Sequence, residues 1–302
     1  MNNSLRLILF TELFLTSFFI STAAIPKAGF SMPDSLREVI FTYRELGNLI
    51  LLPITINDTI KVNLILDTGC RNLVLFGKRF DNLFELHPNK KVRFSGLGSG
   101  KPVDGKLSLS NKVSIGAVIG ERIPVVIIPD QNLFGSYVNV DGVIGYDIFI
   151  KFEVELNCAH RLITFRPAFD AEIAPGYEKI EIRIKDSKPI INSKVFFQNT
   201  ALLCDLMIDT GSSLGLLLKT SDIDKYPTQG KSEVIGRGLN GNIEGTQTVA
   251  KRLLLDQLEI KKVPMGIIFT PWHNYASVGM DIIRKYSIVL NYCKSYAGFK
   301  KS

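Results

Sequence analysis

The feature that most restricts the fold of this chain is a tripeptide that occurs twice, each time at the end of an apolar run. Apolar residues 64–66 lead into Asp67-Thr68-Gly69, and apolar residues 206–208 lead into Asp209-Thr210-Gly211. Another apolar stretch follows each copy. Short apolar runs bounded by turn residues are typical of buried strands. A chain that repeats a strand–turn–strand unit in this way is predicted to be a duplicated β structure.

Two further elements recur in the same order and extend the repeat over most of the chain. Val143-Ile144-Gly145 corresponds to Ser277-Val278-Gly279, 134 positions further on, and at the same offset Asn157 meets Asn291. Between them lie Gly-rich stretches around 96–100 and 236–241, and each predicts a β-hairpin because strand-like segments flank it. We therefore predict an all-β fold of two similar lobes related by an approximate twofold axis. Short helices are predicted at 77–86, 146–151 and 281–285.

The first residues have the pattern of an export signal. Arg6 precedes an apolar stretch over 7–20, and Thr22-Ala23-Ala24 offers small residues for cleavage. We predict a signal peptide at 1–24 and a periplasmic or secreted protein. An uncleaved membrane anchor remains the alternative, although Glu12 interrupts the apolar stretch and a span needs ~20 apolar residues.

A cluster of proline and glycine residues between 166 and 189 marks the predicted boundary between the lobes. It predicts an N-terminal lobe at 25–168 with the first Asp-Thr-Gly and a C-terminal lobe at 169–302 with the second.

Charge and cysteine usage exclude several classes of function. The net charge of +7 comes from scattered lysines and arginines without an aromatic stripe, so no nucleic-acid partner is predicted. The cysteines contain no Cys-x-x-Cys spacing, which leaves zinc and thioredoxin-type chemistry without support. We predict no metal and no cofactor. The thiols are left either as disulfides or as buried free groups: Cys70, Cys158, Cys204 and Cys293.

One aspartate in each copy of a repeated lobe predicts a specific chemistry. A pseudo-twofold axis can bring equivalent residues of two lobes face to face. Two carboxylates held that close share one proton, because both cannot ionise easily. The ionised member can take a proton from water while the protonated member donates to a carbonyl oxygen. Asp67 and Asp209 are therefore the candidate catalytic pair.

The residues after each aspartate are predicted to support the pair. The glycines let the backbone turn sharply and bring amide groups to the carboxylates, and the threonine hydroxyls can reach across between the loops. Ser212 can donate to Asp209, whereas Cys70 offers only a weak thiol donor at the matching place, so an asymmetric pair is expected. The supporting residues are Thr68, Gly69, Cys70, Thr210, Gly211 and Ser212.

These motifs resemble those of the aspartic peptidases, the clan of pepsin and the retroviral proteases, over roughly residues 48 to 300. That family has apolar-apolar-Asp-Thr-Gly followed later by apolar-apolar-Gly, as at Asp67 with Gly145 and at Asp209 with Gly279. The resemblance implies the two-lobed acid-protease barrel fold, with the second element packed beneath the catalytic loop in a ψ-shaped arrangement. The continuations after each glycine look like the retropepsin type. The flap Tyr pattern and the cysteine spacing of eukaryotic pepsins are not found, so the chain looks like a bacterial-type retropepsin-like protein with two fused copies.

The resemblance also implies a substrate. An extended peptide or unfolded polypeptide would lie across the cleft and pair with strand edges, covered by flap hairpins at 95–105 and 235–245. One chain carries both aspartates, which predicts a monomer. The candidate flap residues are Gly96, Gly98, Gly100, Gly236 and Gly238.

An inactive peptide-binding protein on the same fold is the alternative. It is suggested by Cys70, which stands where the family usually has Ser, Thr or Ala.

Overall fold

A computed structural model describes residues 28–94, 96–129, 140–221, 232–270 and 276–301. The predicted signal peptide at 1–24 lies outside these ranges. Among the described residues, none of the helices is long and apolar enough to span a bilayer.

Strands dominate both halves of the chain. The first half contains β1 Gly29–Ser31, β2 Val39–Thr42, β3 Arg44–Leu46, β4 Leu49–Ile56, β5 Ile60–Leu66, β6 Leu73–Phe76, β7 Leu86–Phe94, β8 Val103–Ile115, β9 Val118–Ile128, β10 Gly142–Ile144, α1 Tyr146–Phe149, β11 Phe152–Asn157 and β12 Leu162–Pro167. The second half contains β13 Glu178–Glu181, β14 Arg183–Lys185, β15 Lys188–Phe197, β16 Thr200–Asp209, β17 Leu216–Thr220, β18 Glu233–Gly238, β19 Gly241–Leu255, β20 Leu258–Phe269, β21 Ala276–Gly279, α2 Met280–Ile283, β22 Tyr286–Asn291 and β23 Tyr296–Lys301.

Each half closes into a barrel with the same strand order. In the first half the order is β9-β6-β10-β5-β4-β8, and the ring closes because β8 also pairs with β9. In the second half the order is β20-β17-β21-β16-β15-β19, and β19 pairs with β20. Every strand of one ring has its counterpart at the same place in the other. The predicted all-β, two-lobed fold is confirmed.

Alternation along the strands explains why these segments close around a core. In β4, Ile50, Leu52 and Ile56 have no exposed surface, and the spacing of two places them on one face of the strand. Leu64 and Leu66 of β5 are equally buried. Fully burying an aliphatic side chain contributes about 1.5–3 kcal/mol, so one register of each strand is strongly favoured over a slipped one.

A third sheet joins the two halves, in the order β13-β23-β22-β11-β12-β2. Its centre is the antiparallel pair β11–β22, where Val154 faces Leu290, Leu156 faces Ile288 and Glu155 faces Val289. Glu155 and Val289 are 134 positions apart, which is the repeat offset. The pseudo-twofold axis therefore passes through this pair.

The repeated asparagines have a structural role at the ends of these central strands. The side-chain oxygen of Asn157 accepts a hydrogen bond from the His160 amide (3.2 Å), and that of Asn291 accepts one from the Lys294 amide (3.0 Å). Each asparagine thus fixes the turn that follows its strand. Asn291 is fully buried and also donates to the Ala168 carbonyl oxygen (2.8 Å).

The helix predicted at 77–86 is wrong. Only Lys78–Phe80 forms a 3-10 turn, and β7 begins at Leu86. Gly77, at φ 112°, provides no side-chain cap, and a helix this short is marginal without one. Phe80 and Phe84 are nevertheless buried, so their apolar spacing reflects a packed turn. The helices predicted at 146–151 and 281–285 are observed as α1 and α2.

Candidate active site

The two Asp-Thr-Gly turns lie at the ends of central barrel strands. β10 inserts between β5 and β6, parallel to β5 and antiparallel to β6. β21 inserts between β16 and β17 with the same polarities. This insertion is the ψ-shaped arrangement that the sequence resemblance implied. The Asp67 amide donates to the Ile144 carbonyl oxygen (2.8 Å), which fixes the start of the first turn on the inserted strand.

Close packing explains the glycine at the end of each inserted strand. A Cβ atom at Gly145 would collide with the carbonyl oxygens of Asp67 and Cys70, and one at Gly279 would collide with those of Ser212 and Leu214. The next amides use this proximity. Tyr146 donates to the Cys70 carbonyl oxygen (2.9 Å), and Met280 donates to that of Ser212 (2.8 Å).

Thr68 and Thr210 lock the two turns together across the interface between the halves. The Thr68 hydroxyl donates to the Ile208 carbonyl oxygen (2.6 Å) and accepts from the Thr210 amide (3.0 Å). The Thr210 hydroxyl donates to the Leu66 carbonyl oxygen (2.8 Å) and accepts from the Thr68 amide (3.0 Å). Neither threonine has exposed surface. Four buried hydrogen bonds therefore hold the two aspartates in one fixed relation.

The glycines of the motif place both carboxylates against one another. A Cβ atom at Gly211 would collide with the Asp67 carboxylate, although the two belong to different halves. A Cβ atom at Gly69 would lie 3.0 Å from Oδ1 of Asp67 and 3.7 Å from Oδ1 of Asp209. Each glycine amide donates to the carboxylate of its own turn, at 2.6 Å for Gly69 to Asp67 and 3.2 Å for Gly211 to Asp209.

Burial and mutual repulsion keep a proton on this pair. Burial, followed by the charge of Asp209, raises the pKa of Asp67 to about 7. Burial also raises the pKa of Asp209, but the positive charge of Lys219 and the amides of Gly211 and Ser212 oppose that rise. The two environments differ, because the charge of Lys219 opposes the rise at Asp209 and is not among the influences on Asp67, so the pair is asymmetric.

The sequence predicted that the side chains of Ser212 and Cys70 donate to the carboxylates, but in the structure they have other partners. The Cys70 thiol donates to the Asn72 carbonyl oxygen (2.9 Å), and the Ser212 hydroxyl accepts from the Leu214 amide (3.3 Å). The backbone amides of Cys70 and Ser212 act on Asp67 and Asp209 instead and lower their pKa values. The turn aims the amides at the carboxylates, so the side chains fold back along the chain. The Cys70 thiol stays neutral because burial and the charge of Asp67 raise its pKa.

All four cysteines are free thiols in the structure: Cys70, Cys158, Cys204 and Cys293. The disulfide option that the sequence left open is therefore not realised.

Two lysines near the aspartates were missed by sequence reasoning. The charge of Lys188 lowers the pKa of both Asp67 and Asp209. Lys219 lowers the pKa of Asp209, and its own pKa is lowered by burial. A position-by-position comparison of the two repeats would have identified these lysines, because the equivalent residues of the first half are apolar.

The Gly-rich hairpins are observed at β7–β8 and β18–β19, and their tips touch across the cleft. The Gly100 amide donates to the Asn240 carbonyl oxygen (2.5 Å), and the Ser99 amide donates to that of Asn242 (3.1 Å). The Asn240 amide donates back to the Leu97 carbonyl oxygen (3.4 Å). Gly96 and Gly98 lie against residues 239–241, and Gly238 lies against the Leu97 carbonyl oxygen. Gly236 lies near Leu214 instead.

The leucines of the two tips cross over. Leu97 of the first tip packs with Leu217, Ile235 and Ile268 in the second half. Leu239 of the second tip packs with an apolar group in the first half that includes Val126. In this closed arrangement each tip covers the opposite side of the cleft.

Gly98→Ala is expected to loosen this contact. Gly98 has φ +133°, and its Cβ atom would lie 2.7 Å from the backbone of Asn240. The change should cost about 1–3 kcal/mol of stability and speed hydrogen exchange of the Ser99 and Gly100 amides by about tenfold. Gly176→Ala is the matched control, with φ +87° at a turn that meets only the Lys300 side chain. Equal exchange rates at Ser99 and Gly100 in the two variants would contradict the expectation.

An aspartyl protease family model matches residues 52–148. The matched segment runs from β4 to α1 and includes Asp67 and Gly145. The match supports a protease function for the chain in general terms. No curated protein matches the sequence.

Proposed function

We propose that this chain is an aspartic endopeptidase of the two-lobed, retropepsin-like type, with Asp67 and Asp209 as its catalytic pair. The observation that carries the proposal is the set of buried hydrogen bonds by which Thr68 and Thr210 join the two turns, called here the threonine lock. It holds the two carboxylates so close that the charge of Asp209 raises the pKa of Asp67. The supporting match to an aspartyl protease family lies within the first of the two lobes, at residues 52–148.

The environments of the two aspartates suggest a role for each. Asp209, next to Lys219 and within the influence of Lys188, is the ionised member and takes a proton from water as its oxygen attacks the peptide carbon. Asp67 donates its proton to the carbonyl oxygen. The tetrahedral diol then collapses: Asp209 returns a proton to the amine nitrogen, the C–N bond breaks, and a diol proton returns to Asp67. No covalent intermediate forms.

The substrate of this mechanism is an extended peptide or unfolded polypeptide held beneath the two flap tips. The tips must separate to admit it, because they are hydrogen-bonded to one another in the closed form. Both aspartates belong to one chain, so a monomer suffices. Export through residues 1–24 is part of the proposal, with an N-terminal membrane anchor as the alternative.

The pH dependence of cleavage tests the proposal. The purified protein should cleave denatured polypeptide, and kcat/KM should fall as the pH rises through about 7, the pKa of Asp67. Above that pH both carboxylates are ionised and no acid remains to protonate the carbonyl oxygen. Product mass spectrometry across pH 3–9, with and without a chelator, provides the measurement. Cleavage that a chelator abolishes, or that increases above pH 8, would contradict a carboxylate pair.

The inactive peptide-binding alternative makes a different prediction. It rests on Cys70, yet this neutral thiol is turned toward Asn72 and leaves Asp67 its backbone donors. Peptide binding without turnover at every pH would favour the alternative over the peptidase.

A further inference from the structure

The outer face of the second barrel carries apolar and basic side chains side by side on neighbouring strands. In β15, Val195 has no exposed surface, so Lys194 and Phe196 on either side of it point away from the core. Lys194 faces Leu203 of β16, and Leu203 is 82% exposed. Packing within the barrel therefore does not explain why position 203 is apolar.

Two residues of β19 complete this face. Lys194 also faces Leu254, and Phe196 faces Arg252. Leu254 lies between two buried leucines, so its own side chain points outward. The face made by these side chains is called the outer patch: Lys194, Phe196, Leu203, Arg252 and Leu254.

The basic residues of the outer patch lie against its aromatic ring. The Cζ atom of Arg252 is 3.8 Å from the centroid of the Phe196 ring, and the Nζ atom of Lys194 is 5.2 Å from it. Both distances are within the range of cation–π attraction. Charged and apolar groups are therefore interleaved across the three strands.

The equivalent place in the first half is polar. Thr55 of β4 faces Lys61 of β5 and Ser114 of β8, in the same arrangement as the three outer-patch residues that face one another across β15, β16 and β19. Lys61 and Leu203 each lie six residues before the aspartate of their own half. The two barrels share one strand order, so the fold does not require apolar residues here. An exposed apolar face of this kind indicates a contact with another surface.

The charge around the outer patch indicates which surface this is. Among the described residues, the segments 192–196, 201–205, 251–254 and 259–262 contain five basic residues and two acidic ones: Lys194, Lys251, Arg252, Lys261 and Lys262 against Asp205 and Glu259. Both acids already have a basic partner, since Asp205 pairs with Arg183 (2.6 Å) and Glu259 with Lys261 (3.9 Å). A second copy docked by the same face would bring like charges together, whereas anionic headgroups complement them.

We infer that the outer patch docks on an anionic lipid surface. Leu203 and Leu254 enter the boundary between headgroups and acyl chains, and Lys194 and Arg252 reach the lipid phosphates. Leucine and phenylalanine beside lysine and arginine are the side chains that hold amphipathic surfaces at a bilayer interface.

The outer patch is separate from the catalytic pair, so the inference does not rest on the proposed function. Leu203 is six residues from Asp209, which is about 20 Å along an extended strand. Changes to the outer patch should therefore leave the chemistry of the cleft as it is.

Vesicle flotation tests the inference. The protein used is the chain from residue 25, the product of the predicted signal cleavage, which contains every described residue. The partition coefficient for vesicles of equal parts phosphatidylglycerol and phosphatidylcholine should exceed that for pure phosphatidylcholine by about tenfold or more at low salt. High salt should remove most of this difference, because it shortens the Debye length. Equal binding to the two kinds of vesicle, or binding to neither, overturns the inference.

Substitutions assign the binding to the outer patch. Leu203→Ser should lower the partition coefficient for anionic vesicles by about tenfold, because an inserted aliphatic side chain is lost. Lys194→Gln combined with Arg252→Gln should lower it by about twentyfold, since each basic residue near the surface contributes about fivefold.

The first half offers matched controls. Leu109→Ser removes an exposed leucine of β8, and Lys61→Gln removes an exposed charge at the counterpart of Leu203. Both should bind within about twofold of wild type, because groups far from the lipid contribute little. Outer-patch variants that float as well as the wild-type protein overturn the inference.

Two further measurements separate binding from folding, catalysis and self-association. All variants should keep the wild-type midpoint of urea unfolding and the wild-type rate of peptide cleavage in solution. A protein that floats with anionic vesicles but cleaves no peptide supports the inference, while the proposed function fails. A dimer that Leu203→Ser dissociates in sedimentation, without vesicle binding, assigns the outer patch to a second copy and overturns the inference.

Discussion

Replacing Asp67 or Asp209 by Asn is expected to lower kcat/KM by about 10³-fold or more in each case, because general acid–base catalysis of this kind contributes about 10²–10⁴-fold and needs both carboxyl groups. Asn at Asp209 cannot take the proton of water, and Asn at Asp67 cannot give one to the carbonyl oxygen. The measurement is steady-state cleavage of one quenched-fluorescent peptide at pH 5. Asp58→Asn, at an exposed turn next to Lys112, is the control and should retain wild-type activity.

The two single variants and the double variant should be equally inactive, since the pair acts as a unit. An Asp209→Asn protein with a tenth of wild-type activity would contradict the assignment of Asp209 as the group that takes a proton from water.

The same substitutions are expected to stabilise the folded protein at high pH. The pKa of Asp67 is raised to about 7 in the folded state from an ordinary value of 3.8. The unfolded chain therefore loses this proton at lower pH than the folded chain does, and the folded state loses stability as the pH rises from 3.8 to about 7. The shift corresponds to at most about 4 kcal/mol, and the partial solvent access of the site reduces it.

We expect Asp67→Asn to raise the free energy of unfolding by about 1–3 kcal/mol at pH 8 and to leave it nearly unchanged at pH 3.5. Urea unfolding at the two pH values measures this difference. An inactive Asp67→Asn protein with no gain at pH 8 would show that the carboxylate is not held in a desolvated, repulsive site.

Breaking the threonine lock is the second change with a large expected effect. Thr68→Val or Thr210→Val keeps the shape of the side chain but leaves a buried amide and a buried carbonyl oxygen of the other half without partners. Each unsatisfied buried group costs about 1–3 kcal/mol, so each variant should lose about 3 kcal/mol of stability. Urea unfolding gives the stability, and kcat/KM should fall by about 10²-fold because the two aspartates lose their fixed relation.

Thr→Ser at the same positions is the matched control, since it keeps the hydroxyl and removes only a methyl group. The double valine variant should lose less than the sum of the single losses, because the two residues share their hydrogen bonds. Wild-type stability in Thr68→Val would contradict a structural role for the lock.

Much of the candidate site could be predicted from the sequence because its requirements are local. Asp67 and Asp209 each end an apolar strand, and Gly145 and Gly279 each follow one. Close approach of the backbone allows only glycine at positions 145 and 279, so the motif can be recognised from a single sequence. Duplication of the motif predicted that two equivalent turns meet at an axis, and the buried threonine hydrogen bonds lie where the turns meet.

Other properties depended on contacts that sequence spacing does not encode. The side chains of Cys70 and Ser212 turn back along their own loops, because the geometry of the turn assigns the carboxylates to backbone amides. The segment 77–86 has apolar residues at helical spacing, yet only Lys78–Phe80 forms a 3-10 turn before β7 begins at Leu86. Apolar spacing decides neither case, because the first depends on the backbone geometry of the turn and the second on the pairing of β7 with β8 from Leu86 onward.

The sequence by itself determined a duplicated β protein with one aspartate in each copy, because strand periodicity and glycine-limited turns are properties of short segments. The sequence also predicted an asymmetric pair, but only the tertiary structure decided what makes the two carboxylates unequal. That inequality comes from Lys219, which lies on β17 and acts on Asp209 through space. Charge acts over distance in a poorly solvated interior, so its source could be identified only once the strands were placed side by side.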